Sequence, residues 1–293
     1  MAASFKKTIV VLNVGGIMDT KFYNEINGLD AMLLMGQAGQ EGGNALLDVL
    51  TGAVTPSGKL ADTWAENYSD YPASDTFANA DGNVKKEVYN EGIYVGYRYF
   101  DTFNITPKYE FGYGLSYTDF KIETQSVTAD ADKVTVKVKV TNTGDVAGKD
   151  VVELYYAAPY DPAEEIEKSS VVLGAFEKTN TLKPGESETV TLTMNVDDMA
   201  SYDYKNNKCY VLSAGDYEFR LQTDSHNMKV NSDGTAVEPI AYTVDSKVVY
   251  NDTNQGKRST DEVAAENLFD AVTAGDGYFG ADGTVGYVSR SDW

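Results

Sequence analysis

Lys133-Val-Thr-Val-Lys-Val-Lys-Val140 decides the fold of the middle of this chain. Side chains alternate across a strand, so Val134, Val136, Val138 and Val140 share one face while Lys and Thr residues take the other. Glu188-Thr-Val-Thr-Leu-Thr-Met194 and Tyr217-Glu-Phe-Arg-Leu221 repeat the alternation. Turn signals separate the runs, at Asn142-Thr-Gly144, Lys183-Pro-Gly185 and Ala214-Gly-Asp216. Short strands with one apolar face, joined by polar turns between residues 118 and 230, predict an antiparallel β-sandwich.

Upstream the pattern differs. Thr8-Ile-Val-Val-Leu-Asn-Val14 is a continuous apolar run ending in Gly15-Gly16, as expected of a strand buried on both faces. Asp19–Asn27 suits a short helix stopped by Gly28, and Ala31-Met-Leu-Leu-Met35 suits a second buried strand. The glycine-rich turn at 36–43 opens a helix in which Ala45, Leu46, Val49 and Leu50 share a face. Strand, helix, strand, helix predicts a parallel sheet with right-handed crossovers. Two strands are too few for a stable open sheet, so this α/β layer reads as partial. Residues 61–117 are irregular and aromatic, with Val88–Phe100 extended, and a stretch of this kind is expected to be functional or to wrap a neighbouring domain. The division predicted is 1–117 partial α/β layer, 118–230 β-sandwich and 231–293 extension or linker. In the last part Thr260–Ala274 suits a helix, and Asp276-Gly and Asp282-Gly suit turns.

The 293 residues are 42% hydrophobic, which fits a globular protein. No apolar run approaches the roughly 20 residues that cross a bilayer. No signal peptide is legible at Met1-Ala-Ala-Ser-Phe-Lys-Lys7, and the single Cys209 excludes an internal disulfide; both fit the cytoplasm. A formal charge of −21, from 45 acidic and 24 basic residues, repels nucleic acid and anionic membranes. No metal-ligand cluster, phosphate loop or serine triad is present, so neither a metal nor a cofactor is expected.

Four motifs occur in order: Gly39-Gln-Glu-Gly-Gly-Asn-Ala45, Pro56-Ser-Gly-Lys-Leu60, Glu91-Gly-Ile-Tyr-Val-Gly-Tyr-Arg-Tyr-Phe-Asp101 and Phe111-Gly-Tyr-Gly-Leu-Ser-Tyr117. Together they resemble the second half of glycoside hydrolase family 3, which includes many β-glucosidases. Val140-Thr-Asn-Thr-Gly144, Leu182-Lys-Pro-Gly-Glu-Ser-Glu188 and Ala214-Gly-Asp-Tyr217 resemble the fibronectin type III-like domain that follows in that family. The resemblance covers residues 6–230 and implies retaining hydrolysis of β-linked glycosides. That chemistry needs two carboxyl groups about 5 Å apart, one a nucleophile and one an acid/base. In the family the nucleophilic Asp lies in a separate (β/α)8-type barrel, and the acid/base Glu of many members lies upstream of the strand matching Thr8–Val14. The resemblance therefore implies that no catalytic residue lies in this chain. The barrel's Lys-His pair is absent too, because the only histidine, His226, sits in Asp224-Ser-His-Asn227. Val288-Ser-Arg-Ser-Asp-Trp293 ends in a sequence like the nucleophile motif, but it better resembles the segment that leads into the barrel in a rearranged branch of the family.

Several residues carry two readings. Glu41, at a helix start, suits a structural carboxylate, and Gly39, Gly42 and Gly43 suit close packing or an anion. Glu91, Arg98 and Asp101 form either a buried ion pair, through Arg98, or part of the rim of a sugar pocket. Trp64 and Tyr94 either stack on a sugar ring or pack in a core. These five are the candidate substrate-binding residues. The expected function is the non-barrel portion of a β-glucosidase, inactive alone, whose partners are a β-linked glucoside or oligosaccharide and a barrel in the same or a separate chain. The alternative is a non-catalytic module that binds carbohydrate or a partner. Exposed apolar faces on the partial sheet also predict self-association.

Overall fold

The computed structural model describes residues 2–80, 82, 87, 89–251 and 288–292. The helix expected at Thr260–Ala274 and the turns at Asp276 and Asp282 lie outside them.

The valine-rich stretch is the middle strand of a three-stranded antiparallel sheet. It comprises β3 (Phe120–Ala129), β4 (Lys133–Asn142) and β7 (Ser187–Asn195) in the order β3-β4-β7. Val134, Val136 and Val138 stand opposite Met194, Leu192 and Val190, and all four valines of β4 are fully buried. A register shift between Thr124 and Ser126 breaks β3, and beyond it the strand turns increasingly to solvent. The facing sheet has the order β11-β10-β5-β6, from β5 (Val151–Ala157), β6 (Val172–Lys178), β10 (Gly215–Gln222) and β11 (Ile240–Val244), all antiparallel. Leu154, Tyr217, Phe219 and Leu221 from this sheet meet the valines in one core. Each buried aliphatic or aromatic side chain contributes about 1.5–3 kcal/mol, which makes this packing the main source of stability. A third antiparallel sheet, β12-β9-β8, joins β8 (Ser201–Asp203), β9 (Cys209–Leu212) and β12 (Val248–Tyr250).

The extension expected from residue 231 begins by packing on the sandwich. Asn231 is buried and acts as a substitute strand partner: its Oδ1 accepts from the Ile122 backbone N–H at 2.8 Å, and its Nδ2 donates to the Ile122 carbonyl at 3.1 Å. β11 and β12 then add edge strands to two sheets.

In the α/β layer, β1 (Ile9–Leu12) pairs in parallel with β2 (Ala31–Leu34), on either side of the one-turn α1 (Phe22–Glu25). Burial on both faces is not what the structure gives: Ile9 is 44% exposed and Leu34 41%. Among the described residues this sheet has only two strands, so each has a single neighbour. Helix α2 (Gly42–Leu50) forms as read, but of its expected apolar face Leu46 and Val49 are half-buried while Ala45 and Leu50 are exposed. The extended reading of Val88–Phe100 also needs correction, since α3 (Tyr97–Thr102) is helical. Its aromatic residues favour a strand by propensity, but Phe100 and Phe103 fall three apart on one buried face, and tertiary packing overrides the propensity.

Described residues between 55 and 97 are tied to the sandwich. Thr55 Oγ1 donates to the Ala147 carbonyl, Lys178 Nζ to the Ser57 carbonyl, and Tyr97 OH accepts from the Leu173 N–H.

Candidate functional site

Two of the quoted motifs form one structure. The Leu60 N–H donates to the Tyr113 carbonyl at 2.9 Å, and the Gly112 N–H donates to the Leu60 carbonyl at 2.8 Å. Pro56-Ser-Gly-Lys-Leu60 and Phe111-Gly-Tyr-Gly114 are therefore antiparallel partners. A Cβ on Gly114 would lie 2.2 Å from the Gly58 carbonyl oxygen, so no other residue fits there. The pairing continues to Trp64, whose N–H donates to the Tyr109 carbonyl and whose ring meets Tyr109 edge-on at 6.5 Å.

This paired segment lies against the end of the sandwich. Lys59 Nζ donates to the Thr223 carbonyl at 3.2 Å, and the Ser225 N–H donates to the Phe111 carbonyl. Under it lies Glu153 of β5, which is 4% exposed and accepts from Tyr155 OH at 2.6 Å. Burial pushes the Glu153 carboxyl up to about 7, against the pull of the Tyr155 hydrogen bond and the Lys59 charge. Burial and the adjacent Glu153 push the Tyr155 phenol up as well.

At the rim of this contact, Asp101 from α3 meets His226 from the turn after β10, with Nδ1 to Oδ1 at 2.9 Å. The Asp101 side chain is 7% exposed, and its other oxygen, Oδ2, has no hydrogen-bond partner. Burial holds the Asp101 carboxyl above its usual range, although Ser225 and His226 draw it down. Burial also raises Glu110, with Asp224 and Asp101 adding to the effect and His226 opposing it. Asp224 is occupied within its own turn: Oδ1 accepts from the backbone N–H groups of His226 and Asn227 and from Asn227 Nδ2. These carboxyl groups close a turn and a contact between layers. A groove of about 480 Å³ lies elsewhere, on the sandwich between Leu173–Glu177 and Thr191–Thr193.

The five candidate residues are not brought together as one pocket wall. Trp64 is 4% exposed and Tyr94 fully buried, packed edge-on against Phe103 at 5.0 Å, so neither ring has a face open to a sugar. Tyr94 OH donates to Glu167. Glu91 is half-buried with an unpartnered Oε2, and Arg98 is half-buried with no ion pair among the described residues. The expected ion pair through Arg98 is thus replaced by Asp101–His226, because α3 presents Asp101 to the turn after β10. Glu41 stands at the start of α2 without capping a backbone N–H and instead accepts from Asn44 Nδ2. Glu153, Tyr155 and Glu167 were not singled out from sequence. The signal for the first was a lone carboxylate inside Val151-Val-Glu-Leu-Tyr-Tyr156, an apolar run where an unpaired charge is costly.

Comparison with known proteins matches the layers separately. Residues 1–97 match the model of the glycosyl hydrolase family 3 C-terminal domain. Over this stretch the chain carries the C-terminal domain of glycoside hydrolase family 3. Residues 150–225 match a fibronectin type III-like domain, in agreement with the sandwich. The chain is 40% identical over 248 residues to β-glucosidase A of Butyrivibrio fibrisolvens, covering 78% of this chain and 29% of that protein. It is 41% identical to the solved β-glucosidase 3B of Thermotoga neapolitana in complex with α-D-glucose, with a TM-score of 0.73, covering 84% of this chain and 32% of that one. For a solved β-glucosidase of Paenibacillus barengoltzii the identity is 40% and the TM-score 0.74, covering 85% and 27%. The chain thus spans less than a third of the length of each of these β-glucosidases.

Proposed function

We propose that the chain is the non-barrel portion of a retaining β-glucosidase and that it does not cleave glucosides by itself. The observation that carries this reading is the match to β-glucosidase 3B of Thermotoga neapolitana over 84% of this chain but 32% of that one. The geometry agrees in a specific way. The buried carboxyls Asp101, Asp224 and Glu153 are each engaged with a neighbouring donor, whereas a retaining pair must face a substrate across an open cleft. The partner is a (β/α)8 barrel, in the same or a separate chain, and the substrate of the assembled enzyme is a β-linked glucoside. Within that assembly Glu91 and Arg98 are the residues proposed to reach the sugar: Glu91 Oε2 has no partner and Arg98 makes no ion pair among the described residues, whereas Asp101, whose Oδ2 is also unpartnered, is anchored by His226. Trp64, Tyr94 and Asp101 support them by packing and pairing.

The test is hydrolysis of nitrophenyl β-glucoside by the purified chain, alone and mixed with a family 3 barrel fragment. No turnover alone and activity on mixing are expected. Specific turnover by the chain alone, lost in Asp292→Asn, would overturn the proposal.

A further inference from the structure

Glu167 lies in the loop between β5 and β6, and both its carboxylate oxygens are used by groups distant in sequence. Oε1 accepts from Ser289 Oγ at 2.6 Å, and Oε2 accepts from Tyr94 OH and from the Arg290 backbone N–H at 3.1 Å. Further contacts fix the same segment: the Val288 N–H donates to the Asn90 carbonyl at 2.8 Å, and Arg290 Nη1 donates to the Lys168 carbonyl at 3.2 Å. The Arg290 guanidinium also lies 4.4 Å from the centroid of the Tyr160 ring, a cation–π distance. Ser289 Oγ and Ser291 Oγ lie 2.8 Å apart, which closes the turn on itself.

The loop is also held by contacts that do not involve this segment. The Lys168 ammonium is 3% exposed and donates to the Pro159 carbonyl, Glu164 Oε2 and Ser213 Oγ, while Ser213 Oγ donates to Glu164. Thr102 Oγ1 accepts from the Ser170 N–H, tying the loop to α3. Acceptors held in place by other contacts lose little freedom on binding, and hydrogen bonds to a charged acceptor are about twice as strong as neutral ones.

We propose that Asn90–Tyr94 and the 159–168 loop form a recognition site for a Ser-Arg-Ser turn. Its occupant is this chain's own Val288–Asp292, and Glu167 is the group on which recognition depends. The site reads a hydroxyl and a backbone amide with one carboxylate, and an arginine with an aromatic ring and a carbonyl. In this way the exposed Asp292 is held at the edge of the sandwich. The inference does not depend on the proposed activity, and its test uses no substrate.

Trypsin cutting between Arg290 and Ser291 releases residues 291–293, which mass spectrometry reads directly. Cleavage requires the turn to leave its site, so its rate follows the population of the released form. In the full chain, Glu167→Gln should speed that cleavage on the order of tenfold, one charge-assisted contact set being lost. Hydrogen exchange at the Val288 and Arg290 amides should rise in parallel while the β4 amides stay protected. Ser289→Ala, which lies outside the sandwich and leaves its folding intact, should give a smaller increase of the same sign. Wild-type cleavage rates in both variants would overturn the proposal. So would a wild-type dimer that Glu167→Gln converts to monomer, since the turn would then come from a second copy.

Discussion

Glu153 shows how one side chain records the contact between layers. It is a carboxylate in an apolar strand, and Gly112 sits directly above it with φ +87°; a Cβ there would lie 2.5 Å from Glu153 Oε2. The Phe-Gly-Tyr-Gly motif was legible as a motif, but its reason was not, since the residue that demands the glycine lies some forty positions further along the chain. A group whose carboxyl moves from 4.5 to about 7 on folding binds more protons folded than unfolded between those values. Stability therefore falls as pH rises through that interval and stays reduced above it, by about 3 kcal/mol at full effect. Glu153→Gln keeps an acceptor for Tyr155 and removes the titration. Urea denaturation should find it more stable than wild type by about 1–3 kcal/mol at pH 8 and indistinguishable at pH 4. Parallel pH profiles for the two proteins would contradict this account.

Among the elements, β4 was the most legible, because a period of two over eight residues has no competing helical reading. What the alternation did not reveal is how the strand ends. Asn142 is fully buried: its Oδ1 accepts from Thr118 Oγ1 at 2.7 Å and from the Gly144 N–H at 3.1 Å. Its Nδ2 donates to the carbonyls of Val146 and Leu182, each at 2.8 Å. One side chain thus joins the β4 turn to Thr118 and to the approach to β7, which gives the Asn-Thr-Gly motif a structural purpose. Asn142→Ala leaves these buried partners unpaired and should cost about 2–4 kcal/mol in urea denaturation, whereas Thr141→Ala on the outward face should stay within about 0.5 kcal/mol. Equal losses at the two positions would remove Asn142 from this role. By contrast α3 was misread, since six aromatic-rich residues are too few for helical periodicity to outweigh strand propensity. β11 and β12 were missed because they are short edge strands in polar surroundings.

For the whole molecule, the balance lies between a net charge of −21 and apolar surface left open on the α/β layer. Ile9, Leu34, Leu47, Leu50 and Val54 are 41–58% exposed there, and β1-β2 has free edges among the described residues. The sequence showed that the layer was thin, from its two apolar runs, but it could not show which side chains remain open. Such surface attracts a second copy, while like charges on two copies repel over a distance set by salt. At 0.15 M salt the screening length is about 8 Å and at 1 M about 3 Å, so added salt weakens the repulsion and leaves apolar contact intact. Light scattering should therefore show a mass that rises with protein concentration and rises further with salt. Replacing Leu47 and Leu50 together by Gln preserves the charge and removes the two largest exposed side chains of α2. That double variant should remain monomeric under conditions where the wild type associates. A wild-type protein that is monomeric at every concentration and salt would mean that the charge, or burial of this face by other parts of the chain, dominates, and the open layer would then not be an association surface.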